Sequence, residues 1–243
     1  FYMGETHKQQ GLGSNGSLAD YTFNHPDSLE GSDYKFPGMN VAFFTEHVFN
    51  INDKIKLTPG IRFEHISTKA SGYYNQTFFS QTDTLITPET RSLQRNFVLL
   101  GLGVSYNVWG NTELYANVSQ NYRGITFTDM RVVRTSQLVD PNLKDEKGFN
   151  VDIGYRGDVN EWLQWDAGMF WLQYNNRIGQ IQQVDSAYNI YRFTTNVGSS
   201  RSLGAEVFAE ADIFRATAIH NKAGNLGVYV SYGFTHSVYT KSV

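Results

Sequence analysis

The sequence predicts an all-β protein, a transmembrane antiparallel up-and-down β-barrel to which these 243 residues contribute about nine strands. Two observations lead to this prediction. Apolar and polar residues alternate through most of the chain, and alternation is the period of a β-strand. Short and long connections follow one another between these segments, as they do in an up-and-down meander. The composition agrees, because 17 Phe and 15 Tyr stand against only 5 Pro, and aromatic residues favour strands.

The alternation is clearest in "RNFVLLGLGVSYNV" (95–108), where Leu100, Leu102 and Val104 share one face and Gly101 and Gly103 share the other. Alternating segments occur at 55–65, 95–108, 112–122, 149–155, 163–171, 203–213 and 226–234. We expect strands of roughly 10–16 residues, whereas strands of soluble proteins average about 5–6. Such long strands favour a barrel that crosses a membrane.

The connections fall into two series. Short turns are predicted at 51–54, 109–111 and 158–161, and the longer segment 214–225 belongs to the same series. Long polar loops are predicted at 9–38, 69–94 and 123–142, with a shorter link near 179–187. Outer-membrane barrels have this layout, with short periplasmic turns at one rim and long extracellular loops at the other.

The polar face of each strand is predicted to line the barrel lumen and the apolar face to meet lipid. In residues 149–156, Phe149, Val151 and Ile153 would point outward, while Asp152 and Arg156 would point into the lumen. Aromatic residues near the short turns suit the girdle at a membrane boundary, and they are Phe49, Tyr106, Trp109, Trp162 and Trp165. By the same parity, charges expected to face the lumen, in ion-paired ladders, are Glu46, Arg62, Glu64, Glu146, Arg156, Glu206 and Glu210.

Other classes of protein are disfavoured by composition. A net charge of −3 gives no electrostatic case for nucleic acid, and the chain has no cysteine for disulfides or thiolate sites. No run approaches the roughly 20 apolar residues of a spanning helix. No G-x-S-x-G or comparable nucleophile motif occurs, so we expect no enzyme and no cofactor. His47 and His65 share the apolar parity but lie near opposite ends of adjacent strands, and we expect no metal site.

Four stretches resemble the barrel domain of TonB-dependent outer-membrane receptors. They are "VAFFTEHVFNINDKIKLTPGIRFEH" (41–65), "TELYANVSQNYRGITFTD" (112–129), "NLKDEKGFNVDIGYRG" (142–157) and "TTNVGSSRSLGAEVFAE" (194–210). The stretch "YRGITFTD" is most similar to ferric-citrate and siderophore receptors. The resemblance implies a 22-stranded barrel in the outer membrane of a Gram-negative bacterium. It also implies an N-terminal plug that couples to the TonB complex, and a ferric chelate as ligand.

The sequence departs from that family pattern at both ends. It shows no plug, no TonB box and no signal peptide, and it ends at "YTKSV" without closing strands. We therefore expect residues 1–243 to be part of the β-barrel domain of a longer protein.

Two segments hold the candidate ligand-binding residues. Loop 123–140 carries Arg123, Arg131 and Arg134, and guanidinium groups bind carboxylates of anionic chelates bidentately. Segment 69–94 offers Arg91 and the aromatic residues Tyr73, Tyr74, Phe78 and Phe79. The alternative interpretations are ordinary solvated arginines and aromatic residues that pack the loops against each other.

Four other functions remain open at this stage: a passive porin-like barrel, TonB-dependent uptake of another nutrient such as a glycan, a barrel phospholipase, and a soluble carbohydrate-binding β-protein. A plug and TonB box in the upstream sequence would distinguish a TonB-dependent receptor from a porin. Lipid hydrolysis by membranes would indicate a phospholipase. A purified chain that stays monodisperse without detergent would indicate a soluble protein.

Overall fold

The computed structural model describes residues 2–9, 11–16, 21–76, 85–132, 136–217 and 226–242. No helix in these ranges is long and apolar enough to cross a membrane. The elements in chain order are β1 (Tyr2–Gln9), β2 (Gly13–Asn15), β3 (Tyr21–Phe23), β4 (Ser32–Glu46), β5 (Phe49–Asn50), β6 (Ile55–Gln76), β7 (Leu85–Trp109), β8 (Asn111–Arg123), α1 (Phe127–Met130), β9 (Gln137–Val139), β10 (Glu146–Val159), β11 (Leu163–Val184), β12 (Ile190–Asp212), α2 (Ile213–Ala216) and β13 (Gly227–Ser242).

Within the described ranges, nine strands form one antiparallel meander, in the order β1-β4-β6-β7-β8-β10-β11-β12-β13. Each strand pairs with the next long strand of the chain, so the predicted up-and-down sheet of about nine strands is confirmed. Two short strands are additions at the sides: β5 pairs with β6, and β9 runs parallel to β12. The β2–β3 hairpin forms a separate two-stranded sheet.

Two of the predicted short turns are tight. Between β7 and β8, Gly110 has a φ of 54°, a left-handed conformation that glycine adopts without steric cost. Between β10 and β11, both Asn160 and Glu161 have positive φ (46° and 59°). Two successive positive φ values define the turn whose twist matches an antiparallel hairpin.

The prediction of a long loop at 69–94 is wrong. Strand β6 continues to Gln76 and β7 starts at Leu85, and the two pair in unbroken register along that stretch. The link near 179–187 is likewise mostly strand, because β11 extends to Val184 and β12 starts at Ile190. Polar side chains do not prevent pairing, since the ladder is made by backbone groups. The result is two tall hairpins, β6–β7 and β11–β12.

One face of the sheet carries a continuous apolar band at the end near the short turns. Register places Leu102 opposite Val118, Val118 opposite Val151, and Val151 opposite Trp171, and the row continues to Leu203. Apart from the half-buried Val151, these side chains are exposed although they are apolar; Val118, for example, has 45% of its surface accessible. The band is about as tall as the 9–11 residues with which a strand crosses a bilayer.

Above this band, the two faces of the tall β6–β7 hairpin exchange character. The outward row of β6 runs from Phe63 through His65 and Ser67 to Lys69, so it becomes polar. The opposite face, which is polar within the band, becomes apolar and buried at Tyr34, Phe36, Ala70 and Tyr74. The apolar core of the described residues therefore lies on the predicted lumen side, above the band.

Candidate functional site

The candidate site is built around the connection between β8 and β10, residues 124–145, which we name the strap. It contains α1 and β9, and its residues 133–135 lie outside the described ranges. Helix α1 begins after Thr126, whose side chain accepts a hydrogen bond from the backbone N–H of Asp129. Asp129 in turn accepts one from the backbone N–H of Thr126, at 2.8 Å. This reciprocal cap explains a helix of only one turn.

The strap folds onto the lumen side of the sheet instead of extending away from it. Its residues Ile125, Met130, Val132 and Val139 are buried against the apolar cluster of β4 and β6. The ring of Phe127 lies 5.4 Å from that of Phe36. Burial of these side chains, each contributing roughly 1–3 kcal/mol, joins the strap to β4 and β6 in one apolar core.

Two arginines of β7 fasten the strap to the tall β6–β7 hairpin. Arg91 donates to the carbonyl oxygens of Val139 (2.9 Å) and Asp140 (3.2 Å), as well as to the carboxylate of Glu89 (2.6 Å). Arg95 forms an ion pair with Asp145 at 2.8 Å. The predicted ligand residue Arg91 therefore holds the strap through two of its N–H groups, and Glu89 of the same strand accepts from a third.

The other side of the strap is fastened to the β11–β12 hairpin. Strand β9 pairs with β12 at Arg192, Phe193 and Thr194. Asn196 exchanges hydrogen bonds with both backbone groups of Lys144, each at 2.8 Å. The strap thus bridges the two tall hairpins.

A charged cluster lies where the strap joins β10. Glu146, only 2% exposed, accepts a hydrogen bond from Arg123 at 3.0 Å and one from the backbone N–H of Ile178 at 2.9 Å, and it forms an ion pair with Arg177 at 3.3 Å. Arg123 also binds both carboxylate oxygens of Asp129, each at 3.1 Å. Both guanidinium side chains remain partly exposed, at 39% for Arg123 and 37% for Arg177. They are the cations of the cluster that a soluble anion can reach.

The predicted aromatic residues take part in packing. The hydroxyl of Tyr73 accepts a hydrogen bond from the backbone N–H of Leu29 at 2.7 Å. Tyr74 is buried in the core, and burial, followed by the nearby Glu89 carboxylate, raises the pKa of its hydroxyl. Tyr34, which was not predicted, donates to that carboxylate at 2.8 Å.

The six predicted ligand residues are therefore only partly brought together. Tyr74 and Arg91 lie beside Glu89 at the β6–β7 wall, whereas Arg123 lies with Glu146 at the β10–β11 side. Arg131 is half-buried in the strap, and Gln137 donates to its carbonyl oxygen. Arg134, Phe78 and Phe79 lie outside the described residues.

Sequence reasoning missed Arg177, because it assigned residues 179–187 to a link and did not follow β11 past Trp171. Register between β11 and β12 shifts between Tyr174 and Arg177, and Asn176 has a φ of 56°. Two adjacent asparagines inside a strand are a signal for such a bulge, which redirects the next side chain.

Within the apolar band, the opposite face of the sheet is polar and partly ion-paired. Arg62 pairs with Glu64 on the same strand, and Arg156 pairs with Glu113 across the β8–β10 ladder. Glu46, Glu206 and Glu210 form no ion pair with the described residues.

Tyr115 covers the small residues of this polar face. Its ring lies over Gly154 and Gly168, and its hydroxyl donates to Asp166 at 3.0 Å. The guanidinium of Arg156 lies 5.1 Å from the ring centre, within cation–π distance. Among the described residues, no group of three His, Asp or Glu side chains could hold a metal ion.

Comparison with known families and structures bears on this arrangement. The model of a family described as TonB dependent receptor-like, beta-barrel, matches residues 2–242. The ferric yersiniabactin uptake receptor FyuA from Yersinia pestis has a TM-score of 0.65 at 16% identity, over 90% of this chain and 30% of that chain. The unliganded ferric citrate transporter FecA has a TM-score of 0.61 at 20% identity, over 92% and 28%.

A third structure agrees. The closed form of the ferric-catecholate import receptor Fiu from E. coli has a TM-score of 0.62 at 14% identity, over 88% of this chain and 30% of that chain. At such identities the likeness establishes the fold. The chain spans less than a third of the length of each of these structures.

Proposed function

Since the chain belongs to the TonB-dependent receptor-like β-barrel family, we propose that it is part of the barrel domain of an outer-membrane receptor that imports a ferric chelate, a siderophore or ferric citrate. The bacterium is Gram-negative, and the energy comes from the TonB complex through a plug in the lumen. The protein is a transporter and not an enzyme. Its partners are outer-membrane lipid on the apolar band, the plug on the polar face, and the chelate above it.

The observation that supports this function best is the inward fold of the strap. Asp129 of the strap binds Arg123 at the end of β8, and Arg123 and Arg177 of β11 lie above the polar face, with side chains partly exposed beside the buried Glu146. A chelate that enters the barrel passes this level before it reaches the membrane. Guanidinium groups at that point suit a ligand rich in carboxylates or other anionic oxygens.

We assign two kinds of role to the predicted ligand residues. Arg123 contacts the anionic chelate, with Arg177 added beside it and with Arg131 and Arg134 on the strap that follows β8. Tyr73, Tyr74 and Arg91 shape the opposite wall of the site, and Tyr74 and Arg91 hold the strap against it. This division follows from their partners, because Arg91 already donates to two carbonyl groups of the strap.

The test is iron-limited growth of a siderophore-deficient strain that carries the full-length receptor as its only ferric-chelate receptor. We expect growth on at least one of a panel of ferric siderophores and ferric citrate, and loss of that growth when TonB is deleted. Absence of TonB-dependent growth on every ferric chelate would refute the proposed function.

The site assignment is tested separately with Arg123→Gln, which we expect to weaken binding of the transported chelate about tenfold, as a charge-assisted hydrogen bond is removed. Arg123→Lys keeps the charge and should retain part of the affinity. Arg215→Gln removes an arginine from the opposite rim and serves as the matched control. Normal transport with unchanged affinity in Arg123→Gln would overturn the assignment of Arg123 and leave the function standing.

A further inference from the structure

A small polar patch lies on the outward face directly above the apolar band, on three adjacent strands. It consists of Lys147 on β10, Gln173 and Asn175 on β11, and Arg201 on β12, and we name it the rim patch. Register places Lys147 opposite Asn175 and Arg201 opposite Gln173. Paired residues point to the same side of a sheet, so the four side chains share one face.

The residues one step lower on the same strands are apolar. They are Phe149, Trp171 and Leu203, of which Phe149 and Trp171 are in edge-to-face contact with ring centres 5.2 Å apart. Trp171 and Leu203 are 41% and 40% exposed although they lie within the band. The rim patch therefore begins where the apolar band ends.

The two cations of the patch form no ion pair with any other residue that the structure describes. Lys147 and Arg201 are exposed, and the ion pairs among the described residues include neither of them. This separates them from Arg91, Arg95, Arg123 and Arg177 on the opposite face, each of which is paired with a carboxylate.

The spacing suits a single anionic group. Neighbouring strands are about 4.8 Å apart, so Lys147 and Arg201 are separated by roughly 10 Å across β11, with a stagger of one residue pair. Long Lys and Arg side chains can converge from that distance. Gln173 donates to Asn175 at 3.2 Å between them, which leaves the amide donors of Asn175 available.

We propose that the rim patch binds the phosphate groups of lipid in the outer leaflet. In a barrel whose apolar band lies in the bilayer, residues one step above the band are at the depth of the lipid headgroups. The occupant of that layer is lipid, and two unpaired cations above a Phe–Trp pair match an anionic headgroup on an acyl chain. The inference rests on the barrel's orientation in the membrane and is independent of which chelate is transported.

The experiment measures binding of diphosphorylated lipid A to the purified full-length receptor in detergent, by native mass spectrometry. We expect Lys147→Gln/Arg201→Gln to bind this lipid about 30-fold more weakly than the unmodified receptor, as each cation near an anionic surface contributes independently. Enzymatically dephosphorylated lipid A should bind the unmodified receptor as weakly as the intact lipid binds the variant.

Two further variants make the result specific. Lys54→Gln/Arg215→Gln removes the same charges at the opposite rim and should bind lipid A normally. Lys147→Arg/Arg201→Lys keeps both charges and should also bind. Equal binding by the Gln double variant, equal loss in the opposite-rim control, or equal affinity for the dephosphorylated lipid would each overturn the proposal.

Discussion

Nδ1 of His65 lies 2.7 Å from Oδ1 of Asn96 across the β6–β7 pair, and this contact marks the level at which the outward face changes from apolar to polar. Below it, Phe63 faces Val98; above it, Ser67 faces Gln94. A hydrogen-bonded polar pair is stable at a membrane boundary, where water can reach it, and costly deeper in the bilayer. The pair therefore divides the tall hairpin into a spanning part and an extracellular part.

This boundary predicts how the outward face tolerates charge. We expect Leu102→Arg, in the middle of the apolar band of β7, to reduce the free energy of unfolding in lipid vesicles by about 2–4 kcal/mol. Gln94→Arg, on the same strand and face but above His65 and Asn96, should cost about 0–1 kcal/mol. Urea unfolding of the full-length receptor in vesicles measures both. Equal losses would mean that the band has been placed at the wrong level.

The buried carboxylate of Glu146 predicts a specific weakness of the strap. Glu146→Gln would leave Arg123 and Arg177 without its charge, and because both are partly exposed we expect a loss of about 1–3 kcal/mol. Hydrogen exchange should therefore rise within residues 124–145 and stay unchanged in the apolar band. Glu161→Gln is the control, since that side chain is 78% exposed in a turn. No change in strap exchange would show that Glu146 does not hold the strap.

The contact of Tyr115 with Gly154 predicts a size limit on the polar face. A Cβ at Gly154 would lie 2.4 Å from the Tyr115 ring, so Gly154→Ala must displace the ring and its hydrogen bond to Asp166. We expect a loss of about 1–3 kcal/mol in urea unfolding. Gly233→Ala, which meets no atom within 4 Å, should be nearly neutral. When Tyr115→Ala is already present, Gly154→Ala should cost little more than Gly233→Ala does. If the losses from Tyr115→Ala and Gly154→Ala are instead additive, the ring is not the cause.

The carboxylate of Glu30, in the segment before β4, predicts that the local stability of this segment falls at low pH. Hydrogen bonds from His25 and from the backbone N–H of Leu12 lower the pKa of Glu30 to about 2. A carboxylate with a lowered pKa stabilises the fold fully above its usual value of 4.5, and this contribution is lost as the pH falls through about 2. Protection of the Leu12 amide from hydrogen exchange should therefore decline between these values. In Glu30→Gln, it should be low and independent of pH over this range.

Much of the sheet could be predicted from local pattern. The alternation in 95–108 gave the face of each residue correctly, because side chains in a strand alternate whatever the partner strand is. The short turns at 109–111 and 158–161 were also found, since polar and turn-forming residues interrupt the alternation there. The shared face of Arg62, Glu64 and Arg156 follows from the same parity.

The candidate site could not be predicted to the same extent. The core of the strap uses Tyr34, Phe36 and Tyr74, which lie in segments that the sequence predicted to be long polar loops. Arg91 meets Val139 across 48 positions of the chain, and Lys144 meets Asn196 across 52. No local pattern contains such pairs.

The sequence by itself determined the period of the strands, their approximate number, the faces of the alternating segments and the family to which the chain belongs. The tertiary structure decided how tall the hairpins are, that residues 124–145 fold inward, and which arginines keep partly exposed side chains. The physical reason is that alternation is a property of each strand's own backbone, whereas the strap is held by burial and charge pairing between segments distant in sequence. Glu146 was visible as a lumen-facing charge; only the fold placed Arg123 and Arg177 on either side of it.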